Sequence, residues 1–299
     1  MKGTKVLEHV TLSNDETLSY RKRGGGEEIV VLIHGNMTSS KHWDLLIEAM
    51  DERFTIYAVD MRGFGQSTYK QRITSIKDFS DDIKLWVDAL SLKDFTLIGW
   101  STGGNVAMQF CADYPGYAQR LVLFASGSTR GYPFFGANVD GTPDFTNRLT
   151  TLEQIEQDSV KTIPMQQMYD MENREGLKFV WNSAIYTHNQ PDPARYEQYV
   201  DDMLTQRNLA DVYHALNVFN ISAIDNDVVK GTNQVKDITI PTLILYGDRD
   251  FVVPEAMTNE IISDFNNRAQ VQKLVNCGHS PLVDCLTETT NVIEQFISQ

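Results

Sequence analysis

The chain has 299 residues, of which 41% are hydrophobic and 22% are charged, and its formal net charge is −14. This balance is typical of a folded globular protein, and the length suits one large domain or a domain with an insertion. Because the negative charge repels phosphate backbones and anionic lipid surfaces, we expect no nucleic-acid binding and no polybasic membrane attachment.

Strands and helices are predicted to alternate in the first part of the chain. The predicted strands are residues 6–12, 17–21, 29–33, 54–59, 95–98 and 120–124, and the predicted helices are residues 42–50, 79–90 and 105–113. The apolar runs "IVVLIHG" and "RLVLFAS" are typical of strands buried on both faces. This order predicts an α/β fold with a sheet covered by helices.

The pattern changes after Ser126. Residues 128–235 are polar and aromatic, mostly helical in pattern, and interrupted by turn-forming stretches such as "GANVDGTPD" and "HNQPDPAR". A buried strand returns in "ITIPTLILYGDRD", followed by a helix at 254–265, a strand at 271–275 and a last helix. We predict an α/β core of residues 1–127 and 236–299 with a helical cap inserted at 128–235.

Glycines surround a serine in "LIGWSTGGNVAMQF", residues 97–110. Each glycine inside a helix or strand costs roughly 0.5 to 1 kcal/mol relative to alanine, so a tight backbone bend is the simplest reason for them. The stretch predicts a strand, a sharp turn and a helix, which is the context that the Gly-x-Ser-x-Gly nucleophile elbow requires. Ser101 is therefore the candidate nucleophile.

A serine hydroxyl needs a base and a group that orients the base, in the chain order serine, acid, histidine. His279 in "VNCGHSPLVD" follows the last predicted strand. Asp248 and Asp250 in "YGDRDFVVP" follow the strand before it, and we favour Asp250, with Asp248 as a turn former that bonds its own backbone. The carboxyl ends of parallel strands meet at one edge of a sheet, which would bring these loops together.

Two backbone N–H groups are candidates for an oxyanion hole. One belongs to Thr102, the residue after the candidate nucleophile. The other belongs to Asn36 in "LIHGNMTSSKHW", where Gly35 lets the backbone approach closely.

No pattern in the chain predicts a metal or a cofactor, because His-x-His, His-Glu-x-x-His, Cys-x-x-Cys and phosphate-binding glycine loops are all missing. No apolar run reaches the ~18 residues of a membrane span. Three cysteines, Cys111, Cys277 and Cys285, lack the spacing of a disulfide framework, so we expect free thiols in a reducing compartment and a cytoplasmic location.

Taken together, the chain resembles the α/β-hydrolase fold superfamily over essentially its whole length. The motifs that carry the resemblance are "HGN" at 34–36, "DMRGFGQS" at 60–67, "GWSTGG" at 99–104, "GDRDFVVP" at 247–254 and "GHSPLVD" at 278–284. The resemblance implies an eight-stranded, mostly parallel sheet with a helical cap after the sixth strand. It also implies that Asp60, Arg62 and Ser67 fix a loop and take no part in the chemistry.

The "HGNMTSS" loop is most similar to that of haloalkane dehalogenases, but the elbow excludes their reaction. Those enzymes need an aspartate at the position of Ser101, because a carboxylate yields a cleavable ester whereas a serine would yield an inert ether. Thr102 also stands where a halide-binding tryptophan is expected. An "HGGPG" loop, typical of prolyl aminopeptidases, is also missing, which disfavours a peptidase of that kind.

We therefore expect a serine hydrolase of small, largely apolar esters or lactones, acting through Ser101, His279 and Asp250 without a cofactor. Trp100, Phe134 and Trp181 are the candidate pocket residues, although packing explains each of them equally well or better. Carbon-carbon bond hydrolysis or perhydrolysis on the same triad, and a small-molecule sensor with slow catalysis, stay open. The sequence leaves the acyl-chain length, the physiological substrate and the oligomeric state open.

Overall fold

A computed structural model describes residues 5–299 and contains a central sheet of eight strands. The strands are β1 (Lys5–Thr11), β2 (Thr17–Arg23), β3 (Glu28–Ile33), β4 (Phe54–Val59), β5 (Phe95–Trp100), β6 (Ala118–Phe124), β9 (Thr242–Gly247) and β10 (Ala269–Leu274), in the spatial order β1-β2-β4-β3-β5-β6-β9-β10. Within this sheet, the β1–β2 and β2–β4 pairs are antiparallel and the other five pairs are parallel. The expected eight-stranded, mostly parallel sheet is confirmed.

Helices cover both faces of this sheet. They are α1 (Asp44–Ala49), α2 (Ile76–Ala89), α3 (Thr102–Asp113), α9 (Glu255–Asp264), α10 (Pro281–Asp284) and α11 (Leu286–Ile297). Along β3, Val31 and Ile33 join one hydrophobic cluster with α2 and α3, whereas Val30 and Leu32 join a second cluster with α1 and α11. Alternate side chains of one strand thus enter two separate cores, which explains the uninterrupted apolar run of this strand.

Sequence patterns placed these elements to within a few residues, and the differences have local causes. The predicted helix at 42–50 is divided into a 3-10 turn at Ser40–Trp43 and the short helix α1. Strand β5 extends to Trp100, and α3 begins at Thr102, so that a single residue separates strand from helix. Gly99 and Gly103 therefore lie inside these elements, where propensity alone disfavours them.

The segment between β6 and β9 is an insertion into the sheet order. It contains the hairpin strands β7 (Phe135–Ala137) and β8 (Pro143–Arg148) and the helices α4 (Leu152–Glu156), α5 (Thr162–Asp170), α6 (Arg174–Ala184), α7 (Pro193–Met203) and α8 (Leu209–Asn217). The hairpin was not predicted, because its strands are short and largely exposed and so show no apolar alternation. Its turn coincides with the "GANVDGTPD" stretch.

Buried polar contacts hold the inserted segment on the rest of the protein. The carboxylate of Asp202 on α7 accepts hydrogen bonds from the hydroxyl of Ser39 and, at 3.0 Å, from Nδ1 of His42. Tyr199 stacks on the His42 ring with their centroids 4.2 Å apart. These bonds to His42 and Ser39 hold the pKa of Asp202 below its usual value against the opposing effect of burial.

The expectation of three free thiols is wrong for two of them. Cys277 and Cys285 form a disulfide with their Cα atoms 6.4 Å apart, and Cys111 is free and buried. Disulfides persist mainly in oxidising compartments, so the predicted cytoplasmic location loses the support that it drew from the cysteine count and stays a prediction. Within residues 5–299, no helix is both long and apolar enough to cross a bilayer.

Candidate active site

Ser101 occupies the single position between β5 and α3, in a backbone conformation that few non-glycine residues adopt. Its φ is 55° and its ψ is −120°, because the chain must reverse from strand to helix within one residue. Such strain costs on the order of 1 to 3 kcal/mol and persists where the surroundings impose it, as at functional sites. The turn exposes Ser101 in part, whereas the neighbouring Trp100 and Thr102 are buried.

A close backbone approach explains the glycine after this turn. A Cβ atom on Gly103 would lie 2.2 Å from the carbonyl oxygen of Ile33 and 2.5 Å from that of His34. Only glycine lets the first turn of α3 pack against the end of β3. The packing brings Ser101 beside Gly35, whose added Cβ would lie 3.0 Å from the Ser101 Cβ.

His279 and Asp250 meet in two loops that follow β10 and β9. Nδ1 of His279 donates to Oδ2 of Asp250 at 2.8 Å, and the two side chains are 4% and 3% exposed. The other carboxylate oxygen, Oδ1, accepts the backbone N–H groups of Val252 and Val253, each at 2.8 Å. One oxygen of Asp250 is therefore anchored to its own loop, and the other orients the imidazole.

Asp248 lies in the turn after β9, as expected, and its carboxylate also has a partner in another loop. Its Oδ1 accepts the N–H of Cys277 at 3.0 Å, so it joins two loops and does not only bond its own turn. This hydrogen bond lowers the pKa of Asp248. Of the two candidate acids, Asp250 is the one that the structure places against His279.

Trp100 contacts both the cavity and the His279 loop. Its Nε1 donates to the backbone oxygen of His279 at 2.9 Å, and the side chain is 2% exposed. Trp100 is therefore both a buried packing residue and part of the cavity wall. Because β5 is buried and paired on both sides, the bond holds the histidine loop in place relative to Ser101.

The loop after β3 places Asn36 at the same cavity. Its fixed point is His34, whose Nε2 accepts the N–H of Met61 at 3.0 Å and whose Nδ1 donates to the carbonyl oxygen of Gly35 at 2.7 Å. Both bonds require the neutral ring, and burial lowers the pKa of His34 to about 4. Within the described part of the chain, the N–H groups of Asn36 and Thr102 have no acceptor.

Gln206 in the inserted segment was not identified from the sequence. Its Nε2 donates to Oδ1 of Asn36 at 2.8 Å and to Oδ1 of Asn208 at 3.0 Å, and its Oε1 accepts from the hydroxyl of Tyr169. The inserted segment thus holds the Asn36 side chain away from its own backbone N–H. A lone glutamine between two helices carries no sequence signal for this role.

A cavity of about 420 Å³ unites these groups. It is lined by Gly35, Asn36, Met37, Thr38, Trp100, Ser101, Thr102, Asn105, Gly127, Tyr132, Phe134, Val160, Lys161, Pro164, Met165, Met168, Val180, Trp181, Ala184, Ile185, Tyr213, Leu216, Val252, Val253 and His279. Every predicted site residue except Asp250 therefore borders one space, and Asp250 reaches it through His279. The lining is mostly apolar and suits a small organic molecule.

Ser101 and His279 border this cavity without bonding each other. In the described residues, the Ser101 hydroxyl has no hydrogen-bond partner, and Nε2 of His279 has none either. Such bonds are often long or misaligned in the free form of a site and tighten when a ligand binds. No three His, Cys, Asp or Glu side chains among residues 5–299 are placed to hold a metal ion.

The "DMRGFGQS" loop supports this region from outside the cavity. Asp60 accepts the N–H groups of Ser40 at 2.9 Å and of Gln66 at 3.0 Å, and the Ser67 hydroxyl donates to the Asp60 carbonyl oxygen at 2.6 Å. Arg62 pairs with Asp82. These contacts tie the loop to neighbouring segments, and its structural role stays a prediction.

The chain is similar to known proteins in both sequence and structure. Pimeloyl-[acyl-carrier protein] methyl ester esterase of Nitrosomonas europaea is 25% identical over 281 residues, which are 92% of this chain and 94% of that protein. An uncharacterized protein of Mycobacterium tuberculosis is 33% identical over 109 residues, which are 36% of this chain and 32% of that protein. The second match thus spans about a third of that relative.

Among solved structures, an esterase from Exiguobacterium antarcticum superposes with a TM-score of 0.73 at 17% identity, over 98% of this chain and 100% of that one. At this identity the likeness concerns the fold. A family model described as alpha/beta hydrolase fold matches residues 28–284. The chain belongs to the alpha/beta hydrolase fold family.

Proposed function

We propose that this member of the alpha/beta hydrolase fold family is a serine hydrolase of small, largely apolar carboxylic esters or lactones. The observation that carries the proposal is the contact between His279 and Asp250 at the cavity that Ser101 borders. The contact fixes the imidazole with Nδ1 protonated, so that Nε2 is left as the base.

In the first half of the reaction, the Ser101 hydroxyl attacks the carbonyl carbon while Nε2 of His279 takes its proton. The carboxylate of Asp250 stabilises the imidazolium that forms. The imidazolium then returns the proton to the leaving alcohol, and the acyl group stays on Ser101 as an ester. In the second half, a water molecule attacks this ester with His279 again as the base, which releases the acid and restores the serine.

The N–H groups of Asn36 and Thr102 would hold the negative oxygen of each tetrahedral intermediate. Both border the cavity, both are without an acceptor in the described residues, and Thr102 begins α3, where the helix dipole favours negative charge. Removing one such donor from an enzyme of this type typically costs about 10² to 10³ in kcat. Gln206 is a positioning residue here, since it keeps the Asn36 side chain turned aside.

The inserted segment, for which we predicted the bounds 128–235, would act as a cap over Ser101. It supplies Phe134 and Trp181 to the cavity lining, together with the methionines Met165 and Met168. Methionine and aromatic side chains form an apolar, adaptable wall. A cavity of about 420 Å³ suits substrates of drug size or smaller, so we propose a short to medium acyl or alcohol portion.

The test is hydrolysis of p-nitrophenyl esters from acetate to decanoate by the wild type and by Ser101→Ala. We expect turnover of at least ~1 per second on the preferred chain length, and a loss of about 10³-fold or more in the variant. Equal turnover by the two proteins would exclude the mechanism. Very slow turnover of all esters by the wild type would instead favour the sensor hypothesis.

The alternatives on the same residues are carbon-carbon bond hydrolysis and perhydrolysis. Both need the same nucleophile and base, so the structure favours neither over ester hydrolysis. Two further assays decide between them, one with a vinylogous diketone and one with acetate and hydrogen peroxide. A kcat/KM for either that exceeds the best ester value would replace ester hydrolysis as the proposed reaction.

A further inference from the structure

One lysine borders a cavity that otherwise has almost no charged side chains. Among the described lining residues, Lys161 and His279 are the only two with a basic side chain. The protein as a whole has 40 acidic and 26 basic residues, yet no acidic side chain lines this space. The lining thus presents a cation in a negatively charged protein, and the carboxylate of Asp250 lies behind His279.

The ammonium group of Lys161 has no acidic partner in the protein. Among residues 5–299 it forms no ion pair and no hydrogen bond, and its Nζ lies 5.7 Å from the centre of the Phe134 ring. The nearest carboxylate along the chain, Asp158, is engaged elsewhere. It accepts the backbone N–H groups of Val160, Lys161 and Thr162 at the start of α5, at 3.3, 3.0 and 3.2 Å.

The surroundings of Lys161 are apolar. Val160, Pro164, Met165 and Met168 border the cavity from the same stretch of chain, and Phe134 faces it. Lys161 itself is exposed to solvent, so an anionic group gains from its charge mainly where the apolar wall keeps water away from the pair. Most other lysines and arginines of the protein reach a carboxylate or a backbone oxygen, among them Lys41, Lys178 and Arg195.

We propose that Lys161 binds a carboxylate on the substrate, so that the preferred esters or lactones carry a negative charge besides the bond that is cleaved. This inference rests on the proposed function and narrows its substrate class to apolar molecules with one anionic end. The carboxylate belongs either to the acyl chain, as in a half-ester of a dicarboxylic acid, or to the alcohol. Both arrangements place the charge away from the reacting carbonyl group.

The first experiment compares kcat/KM for mono-p-nitrophenyl esters of succinate, glutarate, adipate and suberate with the neutral p-nitrophenyl esters of matched length. 4-Carboxyphenyl and phenyl butyrate form the matched pair for an anionic alcohol. We expect one anionic ester to exceed its neutral match by about fivefold, the upper end of what an ion pair with an exposed lysine supplies. The preference should shrink as NaCl rises from 50 to 500 mM, since salt screens a charge at the cavity mouth.

The variants are Lys161→Gln, Lys161→Arg and the control Lys93→Gln. Lys93 is also exposed and lies 5.7 Å from an aromatic ring, that of Tyr117, but it does not border the cavity. We expect Lys161→Gln to abolish the anionic-to-neutral ratio through KM and Lys161→Arg to keep most of it. Lys93→Gln should leave the ratio unchanged.

Two results would overturn the inference. The first is that no ester with a carboxylate on its acyl or its alcohol portion is preferred to its neutral match. The second is that Lys161→Gln has the same anionic-to-neutral ratio of kcat/KM as the wild type. The second result would mean that the ammonium only extends to solvent while its methylene chain packs on Phe134. If no ester is hydrolysed at all, the proposed function fails and the inference is still tested by binding. In Ser101→Ala, monomethyl adipate should then bind about fivefold more tightly with Lys161 present than with Gln in its place.

Discussion

Nδ1 of His279 lies 2.8 Å from Oδ2 of Asp250, and the opposite oxygen of the same carboxylate accepts two backbone N–H groups of its own loop. The acid is held at both ends, so neither side chain is free to turn away. The neighbouring acid, Asp248, is bonded to the N–H of Cys277. Two aspartates that are separated by a single residue thus have different partners.

This difference predicts different outcomes for the two Asp→Asn substitutions. Asp250→Asn leaves the shape nearly unchanged but favours the wrong imidazole tautomer, so we expect kcat to fall about 10³- to 10⁴-fold with p-nitrophenyl esters. Asp248→Asn keeps a side-chain oxygen for the Cys277 N–H and should reduce kcat less than tenfold. A larger loss of kcat in Asp248→Asn than in Asp250→Asn would mean that Asp250 is not the acid that orients His279.

Gly103→Ala should destabilise the protein, because its Cβ would lie 2.2 Å from the carbonyl oxygen of Ile33. Overpacking of this kind costs about 1 to 3 kcal/mol, and the shift it forces would also move Ser101. We expect a lower Tm in a thermal denaturation scan and a lower kcat. Gly24→Ala is the control, since nothing lies within 4 Å of its added Cβ, and equal Tm values for the two variants would contradict the packing argument.

The buried His34 predicts a loss of stability in mild acid. Its folded pKa of about 4 is below the unfolded value of 6.5, so the unfolded state gains a proton first as the pH falls. The free energy of unfolding that depends on a neutral His34 is intact above pH 6.5. It falls between pH 6.5 and 4, by on the order of 3 kcal/mol. Urea denaturation at several pH values measures the loss.

His34→Gln is the informative variant, since its amide can accept the N–H of Met61 and donate to the carbonyl oxygen of Gly35. We expect the free energy of unfolding of this variant to fall less steeply between pH 6.5 and 4 than that of the wild type. The control is His188→Gln, at an exposed position. Parallel curves for the wild type and His34→Gln would refute the assignment of the slope to His34.

The disulfide between Cys277 and Cys285 closes a short loop that contains His279. Its removal should lower the free energy of unfolding by about 2 to 3 kcal/mol in the chain-entropy account. We expect a reducing agent to lower the Tm of the wild type but not that of the Cys277→Ala/Cys285→Ala variant, whereas Cys111→Ala should keep the sensitivity. Three reactive thiols in the denatured, unreduced protein, instead of one, would rule the disulfide out.

Some of these features follow from the sequence and others do not. Ser101 is identifiable because the strained turn requires glycines in a recognisable pattern, and the buried parallel strands reveal themselves as continuous apolar runs. His279 follows from its place in the chain order. The serine turn and the buried strands are local signals, whereas His279 is identified by the order of several segments along the chain.

The remaining features depend on contacts between distant segments. Gln206 reaches Asn36 across 170 positions of the chain, and the pairing of Asp202 with His42 spans 160. The isolated residues resemble ordinary surface polar groups. Lys161 likewise becomes notable only when the fold places it at a cavity without acidic side chains. Tertiary packing decides such roles, and no local pattern encodes them.

Labelling with a fluorophosphonate, followed by peptide mass spectrometry, shows whether Ser101 is the nucleophile. We expect one label per chain on the peptide that contains Ser101, a much slower reaction in His279→Ala, and no label in Ser101→Ala. A label on another residue would contradict the assignment of Ser101 as the nucleophile. Ester hydrolysis that continues in Ser101→Ala would contradict it as well.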